Sequence, residues 1–381
     1  MTGLITDNDA LAAYCQQVLN SKVLAMDTEF IRQSTLLPKL GLIQLFDGHT
    51  LALVDPLSIT NWQPLQQVMA NTGIVKLLHS CSEDIEALAT IGINDISPLF
   101  DTQLAAELIG WGGSMGYARL VEQLSGEVLD KSESRTDWLA RPLTPTQLTY
   151  AANDVHFLYP LYPKLLALMS EQQHSLLLQE GAQLMRRREQ QLPLEFKYLE
   201  IKNSWQLSPR ELSVLRELAA WRYRYAQQRD LALGLVLKDI HLVELAKRRP
   251  STAESLLNIP GLSPREIRRH AKLLVEMIAQ AKELPITACP QRFYHEAQFA
   301  GHKEMVNELT KAVKSAAAEL SIPAEFMSVK RQLNEYLNWC WRVSDEQRAL
   351  LPVPEYLKGW RAQYLLPFLP WPEHIPGKTG S

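Results

Sequence analysis

An α/β sheet domain followed by two all-helical modules is the fold class this sequence predicts, on three observations. Short runs rich in Val, Ile and Leu at 23–30, 41–46, 51–54 and 74–78 precede mostly helical patterns, whereas nothing after about residue 170 has the rhythm of a strand. Proline-containing breaks near 190–195 and 284–290 divide the remainder into a helical linker at 171–204 and units at 205–284 and 292–375. Charge divides the same way. Residues 1–170 carry 9 Lys+Arg against 18 Asp+Glu, a net of −9, while residues 171–381 carry 30 against 24, a net of +6. The acidic half suits cation binding and the basic half suits a polyanion.

Within the first domain, the run Val23-Leu24-Ala25-Met26 ends in Asp27-Thr28-Glu29. Side chains alternate along a strand, so both carboxylates point the same way at a sheet edge. Asp and Glu close many strands with no further role, but two like charges side by side need a cation. The strand at 74–78 passes through His79-Ser80-Cys81-Ser82 into a helix whose first turn holds Glu83 and Asp84, where acidic groups also complement the helix dipole. Asp101 reads as the N-cap of the helical run from Thr102 to Ile109, and His79 as a histidine at the edge of the core. Glycines 110, 112, 113 and 116 follow a helix rather than a strand and lack the spacing of a phosphate loop, so they read as a hinge.

Thr144-Pro145-Thr146-Gln147 carries the start signals of a helix: a Thr N-cap, Pro at the first position and Gln where a capping box wants it. Apolar residues continue through Ala151, Val155 and Leu158, and i,i+4 spacing puts Tyr150 and Asp154 on one face, with His156 on another. Upstream, Lys131 to Arg141 is a charged loop. It reads either as solvated surface or as a source of cations for a phosphate, with Lys131 and Arg135 as substrate contacts. Phe30 is either a terminal-base stacker or a buried strand aromatic.

These motifs resemble the DEDD exonucleases of the RNase H-like (DnaQ-like) fold, in the subclass with Tyr in the third motif. Asp27-Thr28-Glu29 matches the first motif, Asp84 the second and Tyr150-Ala-Ala-Asn-Asp154 the third. Leu42-Ile43-Gln44-Leu45-Phe46, Asp101-Thr102-Gln103 and the stretch from Asp130 to Trp138 are similar to the ribonuclease D family among them. The resemblance spans most of residues 1–170. It implies a mixed sheet, and Asp27, Glu29, Asp84 and Asp154 as ligands of two divalent metal ions. Oxygen-only donors favour Mg²⁺ or Mn²⁺ over Zn²⁺. It also implies in-line displacement at phosphorus, with Tyr150 orienting the attacking water, since a phenol titrates at about 10 and is a poor base at neutral pH.

In the basic half, Ser208-Pro-Arg-Glu211 and Ser263-Pro-Arg-Glu266 are capping boxes, and a second short helix runs from Asp239 to Arg248. The turn Ile259-Pro-Gly-Leu262 delivers backbone N–H groups and Arg265, Arg268 and Arg269 at a helix start, which suits a phosphate. From Leu207 to Val275 the order of elements resembles the HRDC domain shared by RecQ-type helicases and ribonuclease D. The unit at 292–375 has the rhythm of a diverged copy with nearly balanced charge.

Four cysteines at 15, 81, 289 and 340 show no paired spacing, and the N-terminus has neither a basic region nor a long apolar core. A disulfide framework, a secretory signal and a membrane partner are therefore not expected, and the cytoplasm is the natural compartment. The expected function is a metal-dependent 3′→5′ exoribonuclease releasing nucleoside 5′-monophosphates. The resemblance implies RNA as partner, in particular tRNA precursors with 3′ single-stranded extensions, handled by a monomer. A DNA 3′→5′ exonuclease of repair would use the same carboxylates. A non-catalytic nucleic-acid adaptor would lack a ligand, and all four carboxylates and the tyrosine are present.

Overall fold

The computed structural model describes residues 3–129, 136–189, 192–292, 301–341, 343 and 345–369. Its sheet has six strands: β1 (Leu4–Ile5), β2 (Val23–Ile31), β3 (Lys39–Phe46), β4 (Leu51–Val54), β5 (Val75–Leu78) and β6 (Leu99–Asp101). Their spatial order is β1-β4-β3-β2-β5-β6, mixed as expected: β2-β3 and β3-β4 are antiparallel, the other pairs parallel. β1 and β6 were not anticipated, because two or three residues are too few for alternation to show. No strand is found beyond β6 among the described residues.

β2 is the strand that matters most. Its pairing with β5 stops at Ala25 opposite Leu77, whereas its pairing with β3 runs on to Ile31, with a register shift between Glu29 and Phe30. Asp27 and Glu29 therefore lie where β2 keeps a partner on one side only. One sheet face buries Val23, Ala25, Leu42, Leu53 and Leu77 beneath Ala151, Val155 and Leu158 of the helix Pro145–Leu158. The other buries Leu24, Met26, Ile43 and Leu45 against the helices Asn8–Val18, Gln63–Ala70 and Ser82–Ala89.

The helix Glu171–Glu189 packs along β6. Gly181 makes this possible, since a Cβ there would lie 2.3 Å from the Leu99 carbonyl oxygen. The helices Pro209–Arg229, Asp239–Arg248 and Pro264–Glu283 then enclose a separate core with Leu215, Leu218, Leu245 and Leu274 at its centre. This unit holds the loop that follows β2. Leu36 and Leu37 donate backbone N–H bonds to the Asp230 carboxylate at 3.2 and 3.4 Å, and Ala232 N–H donates to the Ser34 carbonyl at 2.9 Å.

The helices His302–Glu319 and Lys330–Trp341 behave differently. Their buried Leu309, Val313 and Tyr336 join one hydrophobic cluster with Phe100, Ala105 and Leu108 of the sheet domain. At that junction the buried Glu180 carboxylate accepts from Arg361 and, at 2.9 Å, from Trp360 Nε1, and it pairs with Arg187 at 2.6 Å. Arg187 and Gln332 also reach Glu355. Burial pushes the Glu180 carboxyl up, but Arg361 and Arg187 beside it hold it below its ordinary range.

Candidate active site

Strand alternation and one helical turn bring three of the expected carboxylates together. Asp27 and Glu29 from β2 and Asp154 from the helix Pro145–Leu158 each offer an oxygen, and the three oxygens lie within 4.8 Å of one another. Among the described residues this is the one such group of three, and neither His nor Cys joins it. Hard oxygen donors at this spacing fit a divalent cation such as Mg²⁺ or Mn²⁺. Asp84 comes in from the side that β5 has vacated. Its buried carboxylate accepts from the Thr28 hydroxyl at 2.5 Å, and it acts on Asp27 and Glu29 through its charge.

The helix that carries Asp154 is fixed at its start. Thr144 Oγ1 accepts from the Gln147 backbone N–H at 3.2 Å, and the Gln147 side chain returns a bond to Thr144 N–H at 2.9 Å. Tyr150 and Asp154, a turn apart, line a cavity of about 190 Å³ with Asp27, His79, Tyr117 and Leu158. The ring of buried Trp138 lies 6.2 Å from that of Tyr150.

Two residues of this cavity were not singled out as site residues from the sequence. Tyr117 donates its hydroxyl to the Asp154 backbone carbonyl, and its ring lies 5.4 Å from His79. His79 Nδ1 is 2.9 Å from Thr102 Oγ1. Both contacts join distant segments, so no spacing announces them. Burial lowers the His79 pKa, which keeps the ring neutral. Asp101 is the expected N-cap, accepting from Gln103 and Leu104 N–H, but it also accepts from Ser80 at 3.0 Å and Cys81 at 2.9 Å. It thereby holds the turn that delivers the Asp84 helix.

Crowding shifts the carboxylates strongly. Burial, then the neighbouring Asp84, Asp154 and Glu29 charges, raise Asp27 well above its ordinary range. Burial, then Asp154 and Asp84, push Glu29 up to about 8. Asp154 rises to about 7 through burial, and Asp84 to about 6 through burial opposed by the Thr28 hydroxyl. Groups that resist ionisation together are a site prepared for a cation, which replaces the missing protons.

The remaining expected residues are dispersed. Lys131 and Arg135 lie outside the described residues. At the end of the same loop Arg141 is committed elsewhere, to Asp55 at 2.6 and 2.7 Å and to the Gly41 carbonyl at 2.7 Å, so it fastens the loop to the sheet. Phe30 is half-buried outside that cavity, lining a separate hollow with Arg32, Thr136 and Asp137 and packing against the core on the other face of the sheet. Arg265, Arg268 and Arg269 are exposed on the first turns of the helix Pro264–Glu283, away from the carboxylates in sequence and outside the lining of their cavity.

Comparison with known proteins agrees with this architecture. Residues 3–170 match the family described as 3′-5′ exonuclease, 211–278 the HRDC domain, and 300–367 the ribonuclease D C-terminal HRDC domain. Ribonuclease D of Escherichia coli (strain K12) is 40% identical over 366 residues, covering 95% of this chain and 96% of that protein. Ribonuclease D of Shewanella sp. (strain ANA-3) is 41% identical over 360 residues, covering 94% and 91%. The crystal structure of E. coli RNase D, described as an exoribonuclease involved in structured RNA processing, superposes with a TM-score of 0.87 at 39% identity, covering 96% of each chain. The catalytic core of RRP6 from Trypanosoma brucei, at 23% identity and a TM-score of 0.58 over 73% of this chain and 79% of that one, shares the fold.

Proposed function

Because the chain belongs to the ribonuclease D family and is a 3′→5′ exoribonuclease, we propose that it trims the 3′ ends of tRNA precursors, working as a cytoplasmic monomer that depends on Mg²⁺ or Mn²⁺. The observation that carries the metal dependence is the meeting of the Asp27, Glu29 and Asp154 oxygens within 4.8 Å, beside Tyr150 in a small cavity. Asp84, a hydrogen bond from Thr28, completes the proposed ligand set.

Divalent cations bound there would supply the positive charge that activates water and stabilises the leaving 3′ oxygen. The chain's own residues do the positioning. Tyr150 faces the cavity from the same helical side as Asp154, so its hydroxyl holds the attacking water. Tyr117 fixes the backbone carbonyl of Asp154 and so the place of that carboxylate. A cavity of about 190 Å³ is narrow, which suits a single 3′ terminus and not a duplex. Phe30 is read as the group that stacks on the terminal base, and Lys131 and Arg135 as substrate contacts. Arg265, Arg268 and Arg269 offer a second, remote contact for the phosphate backbone.

Digestion of a 3′-extended tRNA precursor and a sequence-matched single-stranded DNA, with Mg²⁺, Mn²⁺ or EDTA, tests this reading. Stepwise release of mononucleotides from the RNA, abolished by EDTA and by Asp154→Asn, is the expected result. Digestion of the DNA alone would overturn the substrate assignment.

A further inference from the structure

Gln44 lies on β3 directly opposite Asp27 on β2. Opposite side chains of an antiparallel pair share a face and stand about 5 Å apart at Cβ. The face is otherwise apolar here, with Ala25, Leu42, Leu51 and Leu53 around Gln44 and the helix of Asp154 packed above. Gln44 is 0% exposed, and neither its amide oxygen nor its amide nitrogen has a hydrogen-bond partner among the described residues. Burying an amide in this way is costly, and packing alone would favour Leu or Met. The polar group directly across the strands is the Asp27 carboxylate.

We propose that Gln44 is a positioning residue for Asp27, its amide N–H donating to the Asp27 carboxylate in the cation-bound protein and so fixing how that ligand is turned. The other acceptor on this face, the Glu29 carboxylate, is paired across with Leu42 and so lies diagonal to Gln44, farther off than Asp27; the remaining neighbours are apolar. Partners of this kind, one step removed from a metal, orient the ligand and raise affinity for the ion. The proposal rests on the reading of Asp27, Glu29 and Asp154 as a metal site.

The test is Mn²⁺ binding to the full chain, measured by calorimetry beside thermal unfolding and steady-state kinetics, for the native protein, Gln44→Leu, Gln44→Met and Asp154→Asn. Both Gln44 variants are expected to unfold at or above the native temperature, while Mn²⁺ affinity falls about 10- to 100-fold. Their kcat is expected to fall with KM for RNA little changed, and higher Mn²⁺ is expected to restore part of it. Native-like Mn²⁺ affinity in either folded Gln44 variant, with Asp154→Asn losing it, would overturn the proposal and leave the metal site intact. A loss of stability at unchanged Mn²⁺ affinity would likewise overturn it, making Gln44 a packing residue. If Asp154→Asn also binds Mn²⁺ normally, the metal site itself is wrong, and the proposal falls with it.

Discussion

Asp154 carries the sharpest prediction at the scale of single residues. Replacing it by Asn keeps the shape and removes the charge, so kcat on RNA is expected to fall by on the order of 10³ or more, several kcal/mol of transition-state stabilisation. Folding should survive, because the substitution relieves repulsion among buried acids. The same crowding predicts a pH dependence of stability. Glu29, Asp154 and Asp84, raised to about 8, 7 and 6, hold protons in the folded protein that the unfolded chain has already released. A raised carboxyl pKa therefore costs stability once pH climbs above the ordinary carboxylate range, and the cost grows until the raised values are passed. In EDTA the melting temperature is expected to fall between about pH 5 and 8. Mg²⁺ should raise it more at pH 8 than at pH 6; an EDTA profile flat across that range would refute the coupling. The pairs Asp27–Glu29 and Tyr150–Asp154 were readable in the sequence because a spacing of two in a strand and of four in a helix puts each pair on one face without any tertiary contact; that the two pairs meet is the work of the helix packing on β2. Tyr117 and His79 were not, since their contacts, to Asp154 and Thr102, join segments 37 and 23 positions apart.

Elements were readable to the extent that they are long and well punctuated. The capping box at Thr144 marked the start of the Tyr150 helix correctly, whereas β1 and β6 are too short to have a period. The loop ending at Arg141 shows what no local pattern conveys. Gly41 on β3 lets it approach: a Cβ there would stand 2.7 Å from the Trp138 carbonyl oxygen and 2.8 Å from its Cβ. Gly41→Ala is expected to cost about 1–3 kcal/mol by overpacking. It should also lower activity, because Trp138 supports the Tyr150 ring; calorimetry and single-turnover digestion would read the two effects. Asp55→Ala, which takes away the carboxylate partner of Arg141 and leaves it backbone carbonyls alone, should have the same signature.

At the scale of the whole molecule, the strand that carries two of the site's carboxylates ends in a loop held by Asp230 of the first helical unit. Asp230 has a φ of 46°, so Gly is the substitution that removes the carboxylate without straining the backbone. Asp230→Gly is expected to slow digestion of long RNA several-fold while sparing a dinucleotide, which needs no helical unit to hold it; equal slowing of both would place the effect in the site itself. The two-unit helical organisation was visible in the sequence from its prolines and caps. That the C-terminal helices share a core with the sheet domain was not, because contacts between distant apolar residues leave no periodic trace. One of those contacts ties the two ends of that shared core to each other. Glu180 shares its charge with Arg361 and Arg187 and accepts from the Trp360 indole, 180 positions along the chain. Arg361→Met leaves the buried carboxylate with Arg187 as its remaining cation, a defect on the order of 3–5 kcal/mol felt at once by the sheet domain and the C-terminal helices.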